Sequence, residues 1–185
     1  MRSNYGVLER RVAYVTDTTD ALGVAIAEAF NDRGAWLTDS FDDHVDIVVH
    51  TAMPPADVVA VEEMDDDAIS EAWDDPVRTT LLMLQAAYAA GASRIILITP
   101  SVASVGASGL SAFCAAVEAE RVLALSAARQ WREEGITVNC LATSLEPSAE
   151  DIAALVPIVV FLASGGSAFL SGATLPVDVK PEVGL

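Results

Sequence analysis

The sequence predicts a three-layer α/β domain in which a doubly wound parallel sheet is covered by helices on both faces. Three observations predict it. Short runs rich in β-branched residues recur along the chain, longer apolar stretches with helical periodicity separate them, and glycines or acidic turns mark most of the joints. Strands that alternate with helices require right-handed crossovers, and so a parallel sheet buried on both faces. At 185 residues and 52% hydrophobic content, the chain can bury one substantial core and is read as one domain over 1–185.

In order, residues 11–16 (RVAYVT) read as a strand. A polar turn leads into a helix over 21–33 that Gly34 closes. Residues 35–38 and 45–51 (VDIVVHT) read as two more strands, separated by a few Asp-rich residues that leave room for a tight loop only. A polar segment passes through the acidic residues 64–67, suited to a helix N-terminus, into a long helix ending near Ala90 and Gly91. Residues 94–99 (RIILIT) give a strand and 100–109 a loop of small residues. A helix over 110–134, closed by Gly135, precedes a strand over 136–142, and a helix over 148–163 and a strand over 173–179 finish the pattern. No internal repeat is present.

A net charge of -17 excludes DNA, RNA and anionic lipid as expected partners, because each would meet a surface of its own sign. The longest apolar runs, such as 95–98 and 155–163, fall short of the roughly 18 residues a membrane span needs. Residues 1–11 carry three arginines with no apolar stretch after them, so no secretory signal is read and a cytoplasmic location is expected. Cys114 and Cys140 have neither disulfide nor metal spacing and are expected to be reduced and buried.

Four stretches carry a family resemblance: RIILITPS after QAAYAAGAS, then SAFCAAVEAERVLALSAARQW, then ITVNCLA, then IAALVPIVVFLASGGSAFLSGATLPVDV. In that order they resemble the fifth strand, active-site helix, sixth strand and C-terminal helix and strand of the short-chain dehydrogenase/reductase family. The resemblance implies a Rossmann-like fold. Two regions are shorter than the family plan: only 39–44 separate the second strand from VDIVVH, and 143–148 run straight into a helix where the family has a substrate loop.

The family's cofactor loop, TGxxxGxG, lets the backbone approach a pyrophosphate at a helix N-terminus. The aligned residues are Thr16, Asp17, Thr18, Thr19, Asp20, Ala21, Leu22 and Gly23, so only Thr16 and the last glycine remain. Two carboxylates stand where phosphate charge would sit. At about 4 Å and an effective dielectric of about 20, each like-charge pair costs about 4 kcal/mol. Asp20 suits a different task, capping the N–H groups of the helix that follows. As metal ligands Asp17 and Asp20 lack further carboxylates at a known spacing. No cofactor and no metal are expected.

The family's chemistry uses an Asn, a Ser, a Tyr and a Lys. The corresponding positions here are Pro76, Pro100, Phe113 and Val117, none of which titrates. Ser101 adjoins the serine position but reads as a turn residue. His44 and His50 are six apart, which on a strand would aim both at one face; without a third group, His50 is expected to be a strand-end residue satisfied by backbone. Asp65, Asp66, Asp67, Asp74 and Asp75 read as a solvated helix start, and Tyr5, Tyr14 and Tyr88 are not at family positions.

The parts by which this family associates are present. Leu81, Leu82, Met83 and Leu84 follow one another, so their helix is apolar all round and must be covered on two sides. The helix over 110–131 is interrupted mainly by Glu118, Glu120, Arg121 and Arg129. Leu81, Leu84, Leu110, Val117 and Trp131 are therefore the expected association residues. Among short-chain dehydrogenases, inactive chains pair with active ones, as in a two-subunit hydroxyacyl-CoA dehydrogenase, and this chain resembles such an inactive subunit in kind. The expected partner is an active relative. The alternative is a homo-oligomer that binds a ligand in the residual cleft between Ser101, His50 and the strand ends. Nucleotide-free chemistry of the halohydrin dehalogenase type needs a Ser and Tyr pair, and Phe113 speaks against it.

Overall fold

Six strands form one all-parallel sheet in the order β2-β1-β3-β4-β5-β6 in the computed structural model, which describes residues 6–53 and 56–177. The strands are β1 (Val12–Val15), β2 (Trp36–Thr38), β3 (Ile47–Thr51), β4 (Arg94–Pro100), β5 (Thr137–Thr143) and β6 (Thr174–Pro176). The helices are α1 (Ala21–Asn31), α2 (Asp66–Ile69), α3 (Asp75–Ala89), α4 (Ser111–Gln130) and α5 (Ala149–Ala163). The expected architecture, a doubly wound Rossmann-like sheet between two helical layers, is the one observed.

Side-chain alternation along the central strands assigns the layers. Ile47, Val49, Ile96 and Ile98 face α1 and α5, where they pack with Ile26, Phe30, Leu155 and Leu162. Val48, Ile95 and Leu97 face the other way, onto Met83, Leu84 and Ala87 of α3 and Ala124 and Ala128 of α4. Both sides of each strand are thus covered, and β4 reads as an unbroken apolar run for that reason. The last strand is shorter than expected from the sequence, and residues 178 and 179 of that expectation lie outside the described residues.

Two helix ends show why the chain folds as it does. Ser148 and Asp151 form a reciprocal capping box at the start of α5, which satisfies two of the N–H groups a helix leaves free there. The expected helix from 64–67 to Ala90 is real but broken: α2 passes through a π-helical turn, Ser70–Asp74, before α3 begins. Pro76, in the first turn of α3, has no N–H to return to the carbonyl four residues back. The ladder shifts by one residue, and the Asp75 N–H bonds Ser70 O instead.

Burial corrects the association reading at two positions. Leu84 and Val117 are 3% and 1% exposed and belong to the chain's own core, because α3 and α4 each turn one face to the sheet. Leu110 and Trp131 are half-buried. Leu81 and Leu82, 41% and 54% exposed, lie on the outer side of α3. The sheet therefore covers this helix on one side, as expected, and leaves Leu81 and Leu82 outward.

Candidate functional site

In a doubly wound sheet, ligands bind beyond the C-terminal ends of the strands, where successive connections leave in opposite directions. Here that point lies between β1 and β3, since β2 flanks β1 on one side and β3 on the other. Thr16 follows β1, and His50 and Thr51 end β3.

On the β1 side the loop before α1 closes on itself. Asp20 caps α1, its carboxylate accepting from the Gly23 N–H at 2.6 Å, while its carbonyl accepts from Val24 N–H at 3.0 Å. Asp17 accepts from the backbone N–H and the hydroxyl of Thr19 at 2.8 and 2.7 Å. Those two hydrogen bonds hold its carboxyl below the usual carboxylate range. Gly23 remains for packing: a Cβ there would stand 1.6 Å from the Asp17 carbonyl oxygen. The Asp20 carboxylate thus takes the Gly23 N–H, one of those a helix start leaves free, while the Val24 N–H makes the ordinary first bond of the helix.

The positions that the family resemblance sets against catalytic residues are packed and apolar. Phe113 and Val117 are each 1% exposed and pack with Val102, Ala103 and Cys114. Pro100 is buried at the end of β4, and Pro76 is half-buried in the first turn of α3. Ser101 opens a short 3-10 turn after β4, where its carbonyl accepts from the Ser104 hydroxyl.

On the β3 side a polar row runs inward from the strand ends. Thr16 Oγ1 lies 3.3 Å from His50 Nδ1 and accepts from the Thr51 N–H at 3.1 Å. His50 Nε2 lies 2.9 Å from Thr80 Oγ1. Beyond Thr80 is Glu120 of α4, only 1% exposed, whose Oε2 has no hydrogen-bond partner. Burial pushes the Glu120 carboxyl up to about 7, against an opposing pull from the Thr80 hydroxyl. Burial also pushes His50 down to about 4, so its ring is neutral at physiological pH. His50, Thr51, Glu71, Asp75, Thr79 and Glu120 line a cleft of about 320 Å³.

These observations revise the sequence reading of the histidines. His44 and His50 share no face: His44 is exposed in the loop before β3, 3.4 Å from Asp46. His50 is satisfied by two threonine hydroxyls, not by backbone. Ser101 does not line this cleft. Asp65 caps α2 through the Ala68 N–H, as a helix-start residue should, whereas Asp75 lines the cleft. Tyr14 packs on Phe41, and Tyr88 stacks on Trp131 while donating to Glu134. Tyr5 lies outside the described residues. Both cysteines are free and buried.

Glu120, Thr80, Thr79 and Glu71 were not singled out from the sequence as site residues. A signal for Glu120 was present: it falls on the stripe Phe113, Ala116, Val117, Ala124, Ala127 that α4 turns inward, where an acid is expected to have a partner or a purpose. Among the described residues no group of three His, Cys, Asp or Glu side chains could hold a metal ion, and no helix is long and apolar enough to cross a membrane.

No protein-family model matches the chain, and no curated protein matches it. A solved structure described as a "Dehalogenation enzyme" superposes with a TM-score of 0.72 over 93% of this chain and 98% of that one, at 19% identity. At that identity the likeness shows the fold alone.

Proposed function

We propose that this chain is a non-catalytic, Rossmann-like subunit that associates with an active oxidoreductase of short-chain dehydrogenase type, in the manner of the inactive subunits of heteromeric enzymes. The observation that carries this reading is the apolar outer side of α3 and α4. Leu81, Leu82 and Val122 are 41%, 54% and 51% exposed on two helices that pack on each other, and exposed aliphatic side chains on neighbouring helices suit a partner surface. The reading is supported by the absence of a reacting group at the four positions the resemblance sets against the family's, and by a loop after β1 whose carboxylates take the Thr19 and Gly23 N–H groups. The dehalogenation enzyme lends this chain its fold alone, at 19% identity.

The test is purification of the tagged chain from its own cells, followed by native mass measurement, identification of co-purifying chains and assay for NAD(P)H oxidation. A full-length dehydrogenase recovered with the wild-type chain, and lost with Leu82→Asp, is the expected result. A homodimer or tetramer that persists in Leu82→Asp and recruits no dehydrogenase overturns it.

A second reading, a homo-oligomeric ligand-binding or regulatory protein, is favoured by one specific observation. The cleft at the β3 end contains a buried carboxylate oxygen with nothing to bond.

A further inference from the structure

We propose that the cleft lined by His50, Glu71, Asp75, Thr79 and Glu120 binds a small organic ammonium ion, whose N–H group bonds the unpartnered oxygen of Glu120. This deepens the second reading above and does not depend on what covers α3 and α4.

The first argument is the unmet need of Glu120. A carboxylate taken out of water without a donor is costly, and native proteins leave few such atoms. Glu120 is 1% exposed and its Oε2 is without a partner. The Thr80 hydroxyl acts on this carboxyl but leaves Oε2 without a partner among the described residues, and the His50 ring is engaged by Thr16 and Thr80. A donor must come from the cleft.

The second argument is the sign of the cleft. Glu71 and Asp75 stand on its wall with Glu120, no lysine or arginine among the described residues lines it, and His50 is neutral near pH 7. Such a site repels phosphates and carboxylates and concentrates cations. The remaining lining, Ala52, Met53 and Pro76, offers apolar surface for a short alkyl chain. The absence of three suitable metal ligands among the described residues turns the choice from an inorganic to an organic cation. The cleft's about 320 Å³ falls at the small end of ligand sites.

The third argument is local geometry. Glu71 comes from the π-helical turn Ser70–Asp74, and such turns recur at functional sites because they displace a side chain from the regular helical face. Here the turn packs against α4 and brings Glu71 to the same cleft as Glu120.

The test uses n-butylammonium as probe, with n-butanol and butyrate as neutral and anionic controls of the same length, titrated calorimetrically into the full chain at pH 8. Saturable binding of n-butylammonium is expected. Glu120→Gln, which keeps the shape, should weaken it by about tenfold or more, the worth of one charge-assisted hydrogen bond. Glu71→Gln should weaken it by a smaller factor. Circular dichroism of each variant checks that the fold is kept. Binding of butanol or butyrate as tightly as n-butylammonium overturns the ammonium assignment while leaving a ligand cleft. Binding of n-butylammonium unchanged by Glu120→Gln overturns the role of Glu120. Failure of all three probes to bind overturns both the assignment and the cleft reading beneath it.

Discussion

The loop after β1 and the cleft after β3 occupy neighbouring places at the same edge of the sheet, yet they treat their polar groups in opposite ways. In the loop, Asp17 and Asp20 accept the N–H groups of Thr19 and Gly23, so the site that would take a phosphate is filled from within. In the cleft, a row of hydroxyl and imidazole groups leads to a carboxylate with one oxygen unmet. One strand end therefore satisfies its carboxylates from within, while the next keeps a polar group unmet. What separates them is whether the chain has provided its own partner.

That contrast can be broken at the loop first. Replacing Gly23 by Ala places a methyl group 1.6 Å from the Asp17 carbonyl oxygen, so the loop or α1 must move. The expected loss is about 3 kcal/mol or more, read from the urea midpoint, and a loss under about 0.5 kcal/mol would show that the loop is not closed as described.

The cleft gives the next largest effect. The Glu120 carboxyl rises from its ordinary 4.5 to about 7 through burial, so folding favours its protonated form. Its contribution is fully present below about 4.5 and is lost as pH rises through about 7. Glu120→Gln should accordingly be more stable than wild type at pH 8, by as much as about 3 kcal/mol, with the advantage shrinking toward pH 4.5. Equal stabilities at pH 8 would mean that the carboxylate has a donor after all.

His50 titrates in the other direction. Its folded value falls from 6.5 to about 4 through burial, so its contribution is present above 6.5 and is lost as pH falls through about 4. In wild type the two groups oppose each other between about pH 4.5 and 6.5. Glu120→Gln leaves the histidine effect alone, and its stability should drop on acidification by about 3 kcal/mol relative to a Glu120→Gln, His50→Gln double variant. Parallel pH curves for the single and double variants would show that His50 is not buried as a neutral ring.

A smaller effect is expected at the cap. Asp20→Ala removes the acceptor for the Gly23 N–H and should cost about 1 kcal/mol without restoring dinucleotide binding, since Asp17 keeps its charge and Asp20 keeps its backbone conformation. Smallest is Leu82→Ser on the exposed side of α3, expected within about 0.5 kcal/mol of wild type for the isolated chain. A larger loss there would show that Leu82 already has a cover.

The parallel sheet and its two helical layers were legible in the sequence because burial on both faces writes itself as apolar runs, whereas the strand order came from the structure. Gly34, Gly91 and Gly135 marked helix ends, and all three adopt positive φ. The capping role of Asp20 and the apolar replacements Phe113 and Val117 were also readable, since each follows from residue type at a known place. The π-helical turn was not read, although Pro76 was its cue. Leu81 to Leu84 were taken as one apolar group, because four consecutive leucine-like residues look alike until the sheet selects which of them face inward.

By itself the sequence determined the fold class and the capping role of Asp20, which depend on periodicity or on local chemistry. Only the tertiary structure decided that Thr16, His50, Thr80 and Glu120 form one row. They come from the end of β1, β3, α3 and α4, up to 104 positions apart in a chain whose numbering carries no distance. An acid on a helix becomes a buried one with an unmet oxygen only when the layers close around it, and no pattern along a single element records which groups another element brings to meet it.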